Sequence, residues 1–343
     1  GSDLSTATTV YEGKPDDVSV GAFHDPTQGF ERDLFYRNID FYRSETHLLS
    51  PTGELVKVDV PEDAEVDVHR EWLLVSTKSP WPLGERTYPA GALLAIGFDD
   101  FLLGEREFTV LFEPDERTSL RYHTWTRHHL IVAMLRDVRS TIQVRTPGPG
   151  DWRRTSLPEI PEHSTVTVVG ADPDHSDEYF VDISGFLEPT TLRRGHVGGP
   201  VGTLKRLPAF FDAAGIDVRQ FFATSADGTA VPYFVVGKDN PIDRPTLLSG
   251  YGGFEVSLLP GYSGTIGRGW LARGGSYVVA NIRGGGEYGP RWHRAAMRAD
   301  RVRAYDDFAA VARDLTDRGI SSPARLGIQG GSNGGLLTGV MLT

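Results

Sequence analysis

Between its start and about Arg206 the chain has no long stretch of helical period, only short segments of alternating or β-branched residues separated by Gly, Pro and Asp turns. "ELVKVDV", "WLLVSTK", "HLIVAML" and "STIQVRT" are examples. Three strand pairs, "AEVDVHREWLLVS", "LRYHTWTRHHLIVA" and "VTVVGADPDHSDEYFVDI", place apolar centres at Leu74, Ile131 and Phe180, a recurrence of roughly fifty residues that matches one four-stranded propeller blade. About four blades are expected here. A β-sandwich also uses many short strands, so this pattern alone leaves both architectures open.

After "VGGPVGTLKRLPAFFDAAGI" the grammar changes. "DVRQFFATSADGTAVPYFVVGK" reads as two strands around an Asp227-Gly228 turn. "PTLLSGYGG" and "GGSYVVANIRGGG" read as apolar strands ending in glycine-rich loops, as in sheets covered on both faces. In "YDDFAAVARDLTDRG" the spacing puts Phe308, Val311, Ala312 and Leu315 on one helical face, with Gly319 as the stop. Strands alternating with helices predict an α/β domain with a mainly parallel sheet. At 343 residues the chain is long enough for two cores, and the boundary is placed at 206/207.

Bulk properties exclude several function classes. The formal charge of −11 repels a phosphate backbone, so no nucleic acid partner is expected. No window approaches the ~18 uninterrupted apolar residues of a membrane-spanning helix, and no membrane partner is expected. Without cysteine there is no thiolate chemistry and no cysteine-ligated zinc. "GSDLSTATTV" has no signal-peptide pattern, which favours a cytoplasmic location while leaving periplasmic and secreted ones open.

The chemistry concentrates near the end, in "LGIQGGSNGGLLTGVMLT". Gly330-Gly331-Ser332-Asn333-Gly334 satisfies G-x-S-x-G between an expected strand and an expected helix. Such a turn strains the serine backbone, and glycine at 330 and 334 removes collisions two residues to either side. The hydroxyl is projected above the sheet, while the Asn333 N–H at the helix start can receive a negative carbonyl oxygen. A tight turn with an incidental serine is the plainer alternative.

"GGSNGGLL", together with "SGYGGFEVSLLPGYS", "VVANIRGGGEYGPRWH" and "AYDDFAAVARDLTDRGISSPARL" in this order, resembles the prolyl oligopeptidase family of serine peptidases. The likeness is dense from about Ala223 onward and weaker but collinear before it. It implies a partial β-propeller over 1–206 and a partial α/β-hydrolase domain over 207–343. Asn333 and the run Tyr251-Gly252-Gly253-Phe254 favour the prolyl branch over the oligopeptidase B branch, which typically has alanine after the serine. Carried over residue by residue, the resemblance makes Ser332 the nucleophile, with the Asn333 N–H and the Tyr251 hydroxyl as oxyanion donors. Phe254 becomes an aromatic wall of the substrate pocket. Its implied reaction is cleavage of short proline-containing peptides after proline through an acyl-enzyme, without metal or organic cofactor. The triad order Ser, Asp or Glu, His has no acid or base in "NGGLLTGVMLT" after Ser332, so a fragment of a longer reading frame, inactive by itself, is expected. An esterase or aminopeptidase on the same fold, and a non-catalytic scaffold or binding fragment, are the competing readings.

Weaker signals have blander explanations. Gly284-Gly285-Gly286-Glu287-Tyr288-Gly289 fits G-x-G-x-x-G, but Pro290 follows and Glu287 would occupy the pyrophosphate loop. His128-His129 falls in a strand pattern, where neighbours face opposite sides and cannot share a metal. "DPDHSDE" reads as a solvated turn rather than a calcium loop. Asp306 and Asp307 are expected near a helix start, where the dipole favours carboxylates, and His293 is assigned no catalytic role.

Overall fold

Strands form where alternation and turn chemistry coincide, in a computed structural model that describes residues 3–148, 150–157, 161–238 and 244–342. The chain divides into two compact units, Gly1–Glu113 and Pro114–Thr343. This division falls earlier than the change in architecture near Arg206.

In the first unit β1 (Ser19–Asp25), β2 (Arg32–Asn38), β3 (Ser44–Leu49) and β4 (Leu55–Lys57) pair antiparallel in chain order. A second four-stranded sheet starts with β5 (Glu65–His69) and β6 (Trp72–Ser76). The hairpin of β7 (Trp81–Leu83) and β8 (Arg86–Tyr88) is inserted before β9 (Leu93–Gly97) and β10 (Thr109–Phe112) complete it. The short helix α1 (Phe98–Leu102) buries Phe98 and Phe101 into the same core as Leu73, Val75 and Trp81.

The second unit opens with two more antiparallel four-stranded sheets. One is β11 (Thr118–Trp125), β12 (Leu130–Arg136), β13 (Arg139–Thr146) and β14 (Arg153–Ser156). The other is β15 (Ser164–Ala171), β16 (Glu178–Gly185), β17 (Thr191–His196) and β18 (Val201–Arg206). Four four-stranded sheets therefore occupy the stretch where about four blades were expected. Leu74 and Ile131 are buried as the repeat requires, but in β16 Tyr179, Val181 and Ile183 point inward and Phe180 does not. The repeat was read one residue out of phase there, and a one-residue slip exchanges the two faces of a strand.

The rest of the second unit is a five-stranded sheet, β19 (Asp217–Thr224), β20 (Ala230–Gly237), β21 (Thr246–Gly250), β22 (Ser276–Ala280) and β23 (Leu326–Gln329), in the order β19-β20-β22-β21-β23. The expected mainly parallel sheet is instead mixed: β19–β20 and β20–β22 are antiparallel, β22–β21 and β21–β23 parallel. A hairpin through Ser225–Thr229, with Gly228 at φ 85°, joins β19 to β20 and leaves no room for a crossover helix. The helices are α2 (Gly264–Gly269), α3 (Pro290–Arg294), α4 (Val302–Asp317) and α5 (Asn333–Val340).

Both faces of this sheet are covered. Tyr233, Val235, Leu248 and Val278 pack with Phe308, Val311 and Leu315 of α4, while Phe234, Val236 and Val279 pack with Ile216 and Leu271. Each fully buried side chain of this size stabilises by about 1.5–3 kcal/mol against exposure. Helix α4 ends as anticipated: Gly319 takes φ 68° and the Ile320 N–H reaches back to the Leu315 carbonyl. Among the described residues no helix is long and apolar enough to cross a membrane.

Candidate active site

Three adjacent parallel strands deliver three loops to one edge of the sheet. Ser249 of β21 is in register with Val279 of β22 and with Gln329 of β23. Tyr251, Asn281 and the 330–334 turn consequently leave the sheet side by side at its carboxyl end, where open α/β sheets place their ligands.

Ser332 sits at φ 52°, ψ −119°, between β23 and α5. A non-glycine residue is rarely held there, and such strain persists only where the surroundings enforce it. Those surroundings are tight: a Cβ on Gly330 would overlap the Gly334 backbone, and one on Gly334 would lie 2.6 Å from the Gly250 carbonyl oxygen. The Ser332 side chain is exposed and, among the described residues, has no hydrogen-bond partner. The Asn333 N–H at the start of α5 likewise has no acceptor among them. It is an open donor at the positive end of a helix.

The Asn333 side chain does something its sequence context did not suggest. Its Nδ2 donates to the Tyr251 carbonyl at 2.6 Å, and its Oδ1 accepts from Arg301 Nη2 at 3.1 Å. Arg301 Nη1 donates to the Gly252 carbonyl. The elbow and the Tyr251 loop are thereby tied through side chains. The Tyr251 hydroxyl has no partner among the described residues.

Beyond Tyr251 the chain turns sharply, with Phe254 at φ 54° and Glu255 at φ 56°. Phe254 remains 50% exposed. The turn rests on the triple-glycine loop: the Glu255 N–H donates to the Gly284 carbonyl at 3.2 Å, and His293 Nδ1 donates to the same oxygen at 2.7 Å. Side chains on these glycines would meet backbone, since a Cβ on Gly284 would overlap the Gly252 carbonyl and one on Gly286 the Glu255 carbonyl. The G-x-G-x-x-G pattern thus serves close packing of two protein loops, and the space a pyrophosphate needs is filled by residues 252–256.

Glu287 anchors the same pair of loops from inside. Its Oε1 accepts from the Leu258 N–H at 2.8 Å and from Asn281 Nδ2 at 3.1 Å, and Asn281 Nδ2 also reaches the Leu258 carbonyl at 2.6 Å. Burial without a cationic partner pushes its carboxyl up to about 7, against the lowering effect of these hydrogen bonds.

Asp306 and Asp307 both lie beyond the first turn of α4, which holds no acidic residue, so the expected helix-start role applies to neither; Asp307 is the buried one of the two. It is fully buried, accepting from the Arg283 N–H at 2.9 Å, from Arg283 Nη2 at 2.6 Å and from Ser225 Oγ at 2.6 Å. Burial opposes the charge on Arg283, but Asp307 and Asp227 hold it more firmly protonated than usual. Among the described residues no carboxylate or imidazole is hydrogen-bonded to Ser332, Asp307 and His293 included.

His128 and His129 also depart from expectation. They lie in the turn before β12 rather than in the strand, so alternation does not separate them. His128 Nδ1 is 2.8 Å and His129 Nε2 3.9 Å from Asp177 Oδ2. Among the described residues no cluster suited to a metal ion is formed. Asp172 of "DPDHSDE" accepts from the Asp174 and His175 N–H groups, the hydrogen bonding of a turn. A cavity of about 580 Å³ lined by Arg117, Asp137, Phe222, Tyr288 and Trp292 includes none of Ser332, Asn333, Tyr251 or Phe254.

Residues 267–343, which contain the elbow and α4, match the model of the prolyl oligopeptidase family. An uncharacterized peptidase of Sinorhizobium fredii is 39% identical over 100% of this chain and 49% of its own length. The stretch that carries the elbow is a prolyl oligopeptidase family match. A second relative, an uncharacterized peptidase of Rickettsia prowazekii, is 33% identical over 89% of the chain and 43% of that protein. Among solved structures, a post-proline cleaving enzyme from Rickettsia typhi superposes with a TM-score of 0.91 at 29% identity, covering 99% of this chain and 51% of the other. The fold is accordingly a partial β-propeller followed by an α/β-hydrolase domain. The chain spans about half the length of the relatives it matches.

Proposed function

We propose that the chain carries the nucleophile and the oxyanion site of a serine peptidase that cleaves short proline-containing peptides after proline. The observation that carries this reading is the strained Ser332 backbone at the end of a parallel strand, beside an open Asn333 N–H. An incidental serine would not be held at φ 52° by two backbone contacts that tolerate only glycine.

On this reading Ser332 Oγ loses its proton to a general base and attacks the carbonyl carbon of the proline residue. The carbonyl oxygen turns negative and is received by the Asn333 N–H and the Tyr251 hydroxyl, two donors that strengthen as charge develops. Collapse releases the amine, protonated by the same base, and leaves an acyl-serine that water hydrolyses. Phe254 offers an apolar face to the substrate. The proline preference is supported by likeness to the Rickettsia typhi enzyme. Among the described residues no general base or orienting acid is hydrogen-bonded to Ser332, and on this reading the chain by itself turns over no peptide.

The test compares this chain with the full native polypeptide, using cleavage of a proline-containing chromogenic peptide and labelling of Ser332 by a fluorophosphonate. Turnover after proline by the full polypeptide, abolished by Ser332→Ala, is the expected result. Undiminished turnover in Ser332→Ala removes the assignment.

A further inference from the structure

Arg283 meets the carboxylate of Asp307 and Arg318 that of Asp314. Arg301 does not pair in this way. It ends the 3-10 turn Arg298–Arg301 that leads into α4, and among the described residues its guanidinium has no carboxylate partner. Its fork is divided between two loops: Nη1 donates to the Gly252 carbonyl and Nη2 to Asn333 Oδ1 at 3.1 Å. The Tyr305 ring backs it, with the guanidinium carbon 5.4 Å from the ring centroid.

These contacts have a geometric consequence. Tyr251 and Asn333 are 82 positions apart in the chain, and the bond between the Asn333 side chain and the Tyr251 carbonyl fixes one against the other. An amide side chain has two orientations, and either end could face Tyr251. Arg301 donates to Oδ1 and so selects the orientation in which Nδ2 points to the Tyr251 carbonyl. By holding the Gly252 carbonyl as well, the same guanidinium fixes the peptide unit between Gly252 and Gly253, one residue beyond Tyr251. A lysine offers a point charge rather than a planar fork and cannot make both contacts in this geometry.

We propose that Arg301 is a positioning residue for the oxyanion site, holding the Tyr251 and Asn333 donors at one spacing. This rests on the reading of Tyr251 and Asn333 given above. Arg301 touches neither substrate nor nucleophile and acts through the two donors, so its loss weakens binding of the tetrahedral species and leaves ground-state binding alone.

The experiment uses the full native polypeptide with Arg301→Met, Arg301→Lys, Tyr251→Phe and the Arg301→Met/Tyr251→Phe double variant. Probes are a proline-containing chromogenic peptide, a proline-terminated peptide aldehyde and the matching alcohol. The aldehyde forms a tetrahedral adduct with serine; the alcohol cannot. Arg301→Met is expected to lower kcat by about 10–100-fold with KM within about threefold, and to weaken the aldehyde by a similar factor while sparing the alcohol. Arg301→Lys, which retains the charge and guards against a folding failure of Arg301→Met, should recover only part of the loss. In the Tyr251→Phe background Arg301→Met should cost less than about threefold, because with one donor left there is no spacing between two donors to hold. Equal weakening of aldehyde and alcohol, full recovery by lysine, or additive losses in the double variant overturn the proposal. If Tyr251→Phe alone has no effect, the oxyanion reading of Tyr251 fails; if Tyr251→Phe acts and Arg301→Met does not, only the positioning role of Arg301 fails.

Discussion

Asn333 Nδ2 and the Tyr251 carbonyl oxygen are joined by a hydrogen bond of 2.6 Å, which ties the turn that carries Ser332 to the loop that carries the Tyr251 hydroxyl. Both loops leave parallel strands at the same edge, β21 in register with β23, which makes a bond this short attainable without further distortion. Asn333 thus combines two parts: its main-chain N–H has no acceptor among the described residues, and its side chain fixes the neighbouring loop.

Tyr251→Phe removes one proposed oxyanion donor and little else, since the hydroxyl has no hydrogen-bond partner among the described residues. Turnover of a proline-containing peptide by the full polypeptide should fall by about 10²–10³, with the thermal midpoint unchanged. Steady-state kinetics and a melting curve check it, and an unaltered rate would reassign Tyr251 to loop packing.

Glu287 links stability to pH. Its folded-state pKa of about 7 lies above the usual 4.5, so the folded protein binds this proton more tightly than the unfolded chain does. The contribution is complete below about 4.5, declines as pH rises, and is lost above about 7. Glu287→Gln keeps an acceptor for the Leu258 N–H and removes the titration. Relative to the parent, the variant should gain on the order of 1–3 kcal/mol at pH 8 and nothing at pH 4. Denaturant melts of both proteins across that range supply the difference, and parallel curves would show that Glu287 carries no linked proton.

Asp307→Ala should be among the most damaging substitutions in the hydrolase domain, although Asp307 lies away from the reacting atoms. It strips the buried Arg283 guanidinium of its fully buried partner and releases the Arg283 N–H that opens the glycine loop. Breaking a buried pair from one side costs about 3–5 kcal/mol. Chemical denaturation reads this directly. A loss below about 1 kcal/mol would mean that Asp227, the other carboxylate on Arg283, suffices.

Much of the site was legible because its signals are local. G-x-S-x-G between a strand and a helix reports a backbone constraint, and Ser332 at φ 52° with Gly330 and Gly334 closely contacted is the structure that constraint describes. The helix over "YDDFAAVARDLTDRG" was legible from its apolar spacing, because a face that must meet a sheet repeats every three to four residues. The placement of His128-His129 in a strand failed because a strand period was extended into a turn. Phe180 failed because an alternating segment does not announce which of its two faces is inward.

What the sequence by itself determined, then, is the set of local geometries: blade-sized strand runs, the change to alternating strands and helices, the strained serine turn and the stops between elements. Only the tertiary structure decided which of these meet. The mixed sheet follows from a hairpin at one edge and parallel pairing at the other, and pairing partners are chosen by the whole chain. The attachment of Asn333 to Tyr251, the divided fork of Arg301 and the buried carboxyls of Glu287 and Asp307 join residues tens of positions apart. No periodicity encodes such contacts, because a polar side chain carries the same letter whether it faces water or a single carbonyl oxygen in the core; the difference is one of surroundings, and surroundings exist only once the strands have assembled.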